Sequence, residues 1–211
     1  MRIGMLGGTF DPIHLGHLII AQEALARLAL ERMLFVPAGQ PPHKLNRYIT
    51  GAEQRVEMVR LAIADHAQLD LSRVDVDRKG PCYSVDTVRL LEQEWGGGAE
   101  ITFLIGADSL ADMPVWYHPE RLIRQCQVVA VQRPGFRVDL DALENALPGA
   151  RSLIQTLDAP VIDLSSTEIR RRVRVGLPIR YMVPRPVELY IHQHGLYRDQ
   201  DPGSGQAREP S

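Results

Sequence analysis

Cysteine is nearly missing from this chain: only Cys82 and Cys126 occur in 211 residues, far apart and outside any CxxC spacing. That scarcity argues against a disulfide framework and a cysteine-based zinc site, and it suits a reducing cytoplasm. No apolar run approaches the roughly 20 residues that a membrane-spanning helix needs, and the N-terminus opens on strand-like residues rather than a basic, apolar leader. A soluble, cytoplasmic protein without a membrane partner is expected. Charge of either sign is not in excess: 24 Lys and Arg face 26 Asp and Glu, and a net charge of −2 gives no broad attraction for nucleic acid. Basic residues concentrate only locally, at Arg170, Arg171, Arg172 and Arg174. Repeats at solenoid periods and low-complexity linkers before residue 198 are also lacking. One domain over residues 1–198 is therefore expected, with 199–211 (DQDPGSGQAREPS) as a disordered tail. No motif speaks to oligomeric state.

What is present is an alternation of strand and helix signals. Apolar runs at 3–6, 33–36, 101–105, 128–131 and 161–164, with an alternating stretch at 69–76, read as strands. Helical patterns lie between them at 13 to about 30, 52–66, 84–94 and near 120–124, with a further helix at 140–147 and a last helical region after 164. This rhythm predicts an α/β, Rossmann-like, doubly wound parallel sheet with a C-terminal helical region. The unusual residues fall just after the strands: Gly7-Gly8, 39–44, Gly106-Ala107-Asp108, Arg133-Pro134-Gly135 and Ser165-Ser166-Thr167. Five strands thus deliver to one edge. A ligand is expected there, at the switch point between the first strand and strand 101–105.

The segment Gly7-Gly8-Thr9-Phe10-Asp11-Pro12-Ile13-His14-Leu15-Gly16-His17 carries the strongest chemistry. Glycines allow close backbone approach to a ligand, and Asp11 is expected to cap a helix whose first turn accepts Pro12. His14 and His17 would then lie one turn apart near the positive helix end, which suits a phosphate chain. A second anion cradle is read at Leu164-Ser165-Ser166-Thr167-Glu168-Ile169-Arg170, where three hydroxyls at a helix start precede a cluster of arginines. The spacing of Ser165 and Glu168 also fits a capping box, which alone would account for the serine. Asp108 could likewise be a helix cap, Lys44 a solvated loop lysine, and Trp116 a core residue.

Taken together, GGTFDPxHxGH, Pro41-Pro42-His43-Lys44, Tyr83-Ser84-Val85-Asp86-Thr87, Gly106-Ala107-Asp108, Trp116-Tyr117 and SSTxIR resemble the motifs of the HxGH nucleotidyltransferases. The GGTFDP form is similar to the nicotinate-mononucleotide adenylyltransferases of bacterial NAD synthesis. The resemblance implies transfer of AMP from ATP to nicotinate mononucleotide, giving nicotinate adenine dinucleotide and pyrophosphate. It gives ATP to Gly7, Gly8, Thr9, Phe10, His14, His17, Arg133, Ser165, Ser166, Thr167 and Arg170. It gives nicotinate mononucleotide to Lys44, Tyr83, Ser84, Thr87, Gly106, Asp108, Trp116 and Tyr117, with Asp108 on a ribose hydroxyl and the Trp116 indole on the pyridine. His17, His14 and Lys44 are the implied catalytic groups. Mg²⁺ is expected to arrive with ATP, because no carboxylate cage for a protein-bound metal is visible. Nicotinamide mononucleotide is an alternative acceptor, the Trp116-Tyr117 and Tyr83-to-Thr87 elements argue against phosphopantetheine, and the intact His14 and His17 weigh against a nucleotide sensor that binds without turnover. A synthetase fragment fits less well, since no KMSKS-like loop is present.

Overall fold

Six short apolar stretches carry the architecture. In the computed structural model, which describes residues 1–40, 49–132, 139–160 and 162–198, they form one all-parallel sheet: β1 (Arg2–Gly8), β2 (Arg32–Pro37), β3 (Leu69–Leu71), β4 (Glu100–Gly106), β5 (Gln127–Gln132) and β6 (Ile154–Asp158). Their spatial order is β3-β2-β1-β4-β5-β6. Both faces of such a sheet are covered, so its strands are apolar almost throughout while the period of two still sorts side chains between layers. Met33 and Phe35 of β2 join one core with Leu6, Leu104, Val129 and Val131. Leu34 and Val36 join the other with Ile3, Met5, Phe103, Val128 and Ala130.

Helices α1 (Leu15–Arg27) and α2 (Ala52–Ile63) cover the first face. The short α3 (Val74–Asp77) precedes α4 (Ser84–Glu94), which packs on the second face. Next come α5 (Ala107–Ala111), a 3₁₀ turn at Met113–Val115, and α6 (Pro119–Gln125). Then α7 (Leu140–Ala146) and α8 (Ala150–Leu153) lead into β6, while α9 (Ser166–Arg174) and α10 (Arg185–Gln193) form the C-terminal helical region on the first face. Among the described residues, no helix is long and apolar enough to cross a membrane.

The doubly wound order is as expected, and it fixes the switch point. Strand β1 pairs with β2 on one side (Leu6↔Phe35) and with β4 on the other (Leu6↔Leu104). The chain winds outward through β2 and β3, returns to β4, and continues outward the other way. The carboxyl ends of β1 and β4 therefore open on one crevice.

Three expectations need correction. The sixth strand is not 161–164 but Ile154–Asp158, in register with β5 from Val128↔Ile154 to Gln132↔Asp158. As an edge strand it buries only Ile154 and Leu157, so its apolar signal is weak, whereas Ile162 and Leu164 line a cavity and Val161 lies outside the described residues. Strand β3 stops at Leu71, and the alternation that seemed to continue through Val76 belongs to α3, where Asp75 is buried in a polar network. Asp11 is not a helix cap: α1 begins at Leu15 with His14 as its N-cap, and Pro12 precedes the helix.

Candidate active site

The β1 turn is built from inside outward. Beyond Gly8, whose carbonyl accepts from the Ala38 amide at 2.9 Å, Phe10 takes a left-handed φ of 50° and turns its ring into the core, 2% exposed. There it meets the His17 ring edge-on at 5.1 Å. Asp11 and Ile13 are also buried, so the turn is pinned by its own side chains and leaves its backbone facing the crevice. The His14 and His17 rings stack, with centroids 3.7 Å apart and planes 27° from parallel. A Cβ at Gly16 would lie 3.0 Å from His14 Nδ1, so the glycine between the histidines makes room for that ring. The His14 amide donates to His17 Nδ1 at 3.2 Å. An Nδ1 that accepts carries no proton, which places the ring proton on Nε2 and makes that atom a donor.

Residues remote in sequence hold this turn. The Asp11 carboxylate accepts from the Tyr197 hydroxyl at 2.7 Å and from the Thr50 amide at 3.2 Å. Burial, followed by the charge of Asp11, pushes the Tyr197 phenol above its ordinary value, so it stays a donor. Arg55, 1% exposed, donates to the carbonyls of Thr9 (2.8 Å), Thr50 (2.9 Å) and Gly39 (3.4 Å). Burial lowers its pKa from the usual arginine value and Asp11 opposes that effect. From the other side, Arg170 donates to the Asp11 carbonyl at 2.7 Å and Ser166 to the Pro12 carbonyl at 2.8 Å. Burying a charge is costly unless its polar atoms are hydrogen-bonded, and here those of both Asp11 and Arg55 are.

Across the crevice, Gly106 ends β4 and caps α5. A Cβ on Gly106 would stand 2.5 Å from Asp108 Oδ1, so glycine makes room for that carboxylate. Trp116 is half-buried, 6.4 Å from the Phe103 ring. Helix α4 starts at Ser84, and the first amides of a helix have no intrahelical acceptor. The Tyr83 carbonyl accepts from the amides of Asp86 and Thr87, both at 3.0 Å, and closes that first turn. Thr87 is buried and its hydroxyl meets the two Asp75 carboxylate oxygens at 2.8 and 3.0 Å. Burial pushes the Asp75 carboxyl up, while Arg78 at 2.8 Å and Thr87 pull it down.

A cavity of about 380 Å³ joins the two sides. Its wall contains Gly7, Gly8, Thr9, His14 and His17 from the β1 side, and Ser84, Thr87, Gly106, Asp108 and Trp116 from the other. Some expected site residues lie elsewhere. Phe10 sits behind the histidines, while Tyr83 and Tyr117 stack on each other at 4.3 Å beside the cavity rather than in its wall. Ser165 does cap α9, accepting from the Glu168 amide at 3.1 Å, but Glu168 pairs with Arg171 at 2.7 Å. Ser166 and Arg170 hold the Asp11-Pro12 carbonyls, and Thr167 accepts from Arg170 at 3.3 Å. Lys44 with its Pro41-Pro42-His43 neighbours, Arg133 with Pro134 and Gly135, and the 199–211 tail lie outside the described residues.

Sequence reasoning missed Arg55, Tyr197, Asp75 and Arg78, and misread Asp11. One signal existed: Arg55 falls on the buried face of α2 with Val56, Met58, Val59, Ala62 and Ile63, where an amphipathic pattern calls for an apolar residue.

Comparison with known proteins agrees with this geometry. The cytidylyltransferase-like family model matches residues 5–172. The "Probable nicotinate-nucleotide adenylyltransferase" of Thermomicrobium roseum is 47% identical over 197 residues, covering 93% of this chain and 92% of its own. A protein of the same description from Thermus thermophilus is 46% identical over 202 residues, covering 94% of this chain and all of its own length. In fold, the chain is similar to the Plasmodium falciparum nicotinic acid mononucleotide adenylyltransferase complexed with NaAD, with a TM-score of 0.75 at 18% identity over 93% of this chain and 97% of that one. Six parallel strands, a paired-histidine turn at the switch point and this degree of identity lead to one conclusion: the chain belongs to the nicotinate-nucleotide adenylyltransferase family of cytidylyltransferase-like proteins.

Proposed function

We propose that the cavity transfers AMP from ATP to nicotinate mononucleotide. The observation that carries this reading is that the stacked His14-His17 pair and the Trp116-Ser84 side share one cavity at the switch point, so a triphosphate and a pyridine mononucleotide meet there. A phosphate oxygen of the mononucleotide attacks the α-phosphorus of ATP, the bond from that phosphorus to the α,β-bridging oxygen breaks, and pyrophosphate leaves. With a second phosphate pKa near 6, the attacking oxygen is mostly ionised at pH 7 and needs no general base.

Positioning and charge stabilisation then supply the catalysis. His17 donates from Nε2 to the α-phosphoryl oxygens, where negative charge grows in the transition state. Holding the neighbouring phosphates falls to His14 and Lys44, with the backbone of Gly7, Gly8 and Thr9 lining the cradle. Phe10 fixes the His17 ring from behind. At the pyrophosphate end we place Ser165, Ser166, Thr167 and Arg170, with Arg133 on the nucleotide. The acceptor ribose is given to Asp108 and Gly106, the pyridine ring to Trp116, and its carboxylate to the amides at Ser84 and Tyr117, framed by Tyr83 and Thr87.

Among the described residues, no group of three or more His, Cys, Asp or Glu side chains is placed to hold a metal. In this reading Mg²⁺ arrives with ATP, carried by phosphate oxygens and water. Bound in that way, the ion would offset phosphate charge. A cytoplasmic location, with small nucleotides as partners, belongs to the same reading.

Pyrophosphate release, measured with ATP and each candidate acceptor, tests the assignment. Turnover with nicotinate mononucleotide well above that with nicotinamide mononucleotide and phosphopantetheine is expected. No turnover with any of them, despite ATP binding, would leave a nucleotide-binding protein instead.

A further inference from the structure

Behind the Ser84 side of the cavity lies a charged cluster of Asp75, Arg78 and Asp86. Asp75 is 6% exposed and lines the cavity. Arg78 does not line it: its side chain, 18% exposed, sits behind Asp75 with Nε 2.8 Å from Oδ1. The same guanidinium reaches the Tyr83 carbonyl at 3.3 Å, the Thr87 hydroxyl at 3.4 Å and the Asp86 carboxylate at 3.8 Å. One cation thus stands between two anions, directly under the first turn of α4. The backbone beneath is equally fixed, since Cys82 Sγ lies 3.3 Å from the Asp75 carbonyl and Gly39 packs against that carbonyl so closely that no Cβ would fit.

We infer that Arg78 is a specificity-determining positioning residue: it offsets Asp75 and Asp86 and holds the Tyr83 carbonyl, so that the amides opening α4 can receive an anionic pyridine substituent. This inference rests on the acceptor reading given above. The acid and amide acceptors have nearly the same shape and differ by one negative charge. A stacking platform such as Trp116 serves both alike, so the choice between them depends on the field at the α4 start. Without Arg78, two carboxylates face that point and lose the cation that stands between them. A carboxylate ligand is then repelled, whereas a neutral amide hardly senses the change.

The test compares kcat/KM for nicotinate and nicotinamide mononucleotides, with KM for ATP as an internal control, in the unaltered enzyme, Arg78→Gln, Asp75→Asn, and the double variant. Arg78→Gln should lower the acid-to-amide ratio by about tenfold, the size of effect expected of one uncompensated charge at partly solvated range, with KM for ATP unchanged. The double variant restores the original net charge of the cluster and should bring the ratio back to within about threefold of the unaltered enzyme. Asp75→Asn alone should keep or raise the ratio. Equal losses for both acceptors in Arg78→Gln, or a double variant no better than the single one, would reduce Arg78 to a structural role and overturn the inference. Should Arg78→Gln not fold, as judged by thermal melting, a lowered ratio in Asp75→Asn overturns it instead. An unaltered enzyme indifferent to acid and amide removes the acceptor reading itself, whereas a selective enzyme whose ratio survives Arg78→Gln removes only this inference.

Discussion

The two sides of the cavity are held in place by different means. On the β1 side the turn that carries the paired histidines is contiguous, from Gly7 to His17, yet its supports come from across the chain: Tyr197 reaches Asp11 over 186 positions, Arg170 over 159 and Thr50 over 39. On the acceptor side the arrangement is reversed. The wall residues Ser84, Asp108 and Trp116 are scattered, but the cluster beneath α4 is local, with Asp75, Arg78 and Thr87 inside 12 positions. A support drawn from the whole fold ties the reacting geometry to global stability. A local support can change by one or two substitutions without disturbing the rest. In the proposed function the chemistry would thereby be fixed by the fold and the acceptor choice adjustable.

That contrast can be broken at several points. The largest effect is expected for His17→Ala: loss of one preorganised donor should lower kcat by about 10²-fold or more, with ATP binding little changed. Retained kcat in a folded variant would remove His17 from the transition state. Next is Tyr197→Phe, which leaves the buried Asp11 carboxylate without its best donor and should cost about 1–3 kcal/mol of stability, read from urea unfolding. The phosphate side should loosen with it, so turnover falls for acid and amide alike. Full stability in Tyr197→Phe would mean that the turn does not depend on the distant chain. Trp116→Ala sharpens the other half of the comparison: a lost ring–pyridine stack of about 1–3 kcal/mol should raise KM for both acceptors by a common factor near tenfold. A selective effect on one acceptor would contradict a shape-only platform. The smallest effect belongs to Arg170→Ala, which should raise KM for ATP by about fivefold and lower Tm by a few degrees, because the same guanidinium also holds the Asp11 carbonyl. A change in Tm alone would make Arg170 purely structural.

The same contrast explains what could be read from the sequence. Strands β1, β2, β4 and β5 were legible because both faces are buried and the apolar runs are continuous. Edge strand β6 was not, since Gln155 and Thr156 face outward and blur its pattern. The Gly7-to-His17 segment was legible as one unit at the cavity because its residues are consecutive in the chain. Asp11 was misread for a related reason: an aspartate before a proline and a helix has the local signature of a cap, and only the folded chain brings Tyr197 and Thr50 to its carboxylate. Arg78 sits in a polar stretch that looks like a solvated loop, and nothing in the spacing reveals that its side chain is enclosed.

The separation of chemistry from acceptor choice is tested most directly by measuring kcat/KM for nicotinate and nicotinamide mononucleotides in the unaltered enzyme and in His17→Ala. The rates for both acceptors should fall together by about 10²-fold or more while their ratio stays within about twofold, because in the proposed reaction the His17 side of the cavity acts on the α-phosphorus and not on the pyridine substituent. A ratio that collapses along with the rate would show that the two sides are one coupled device and would contradict the account.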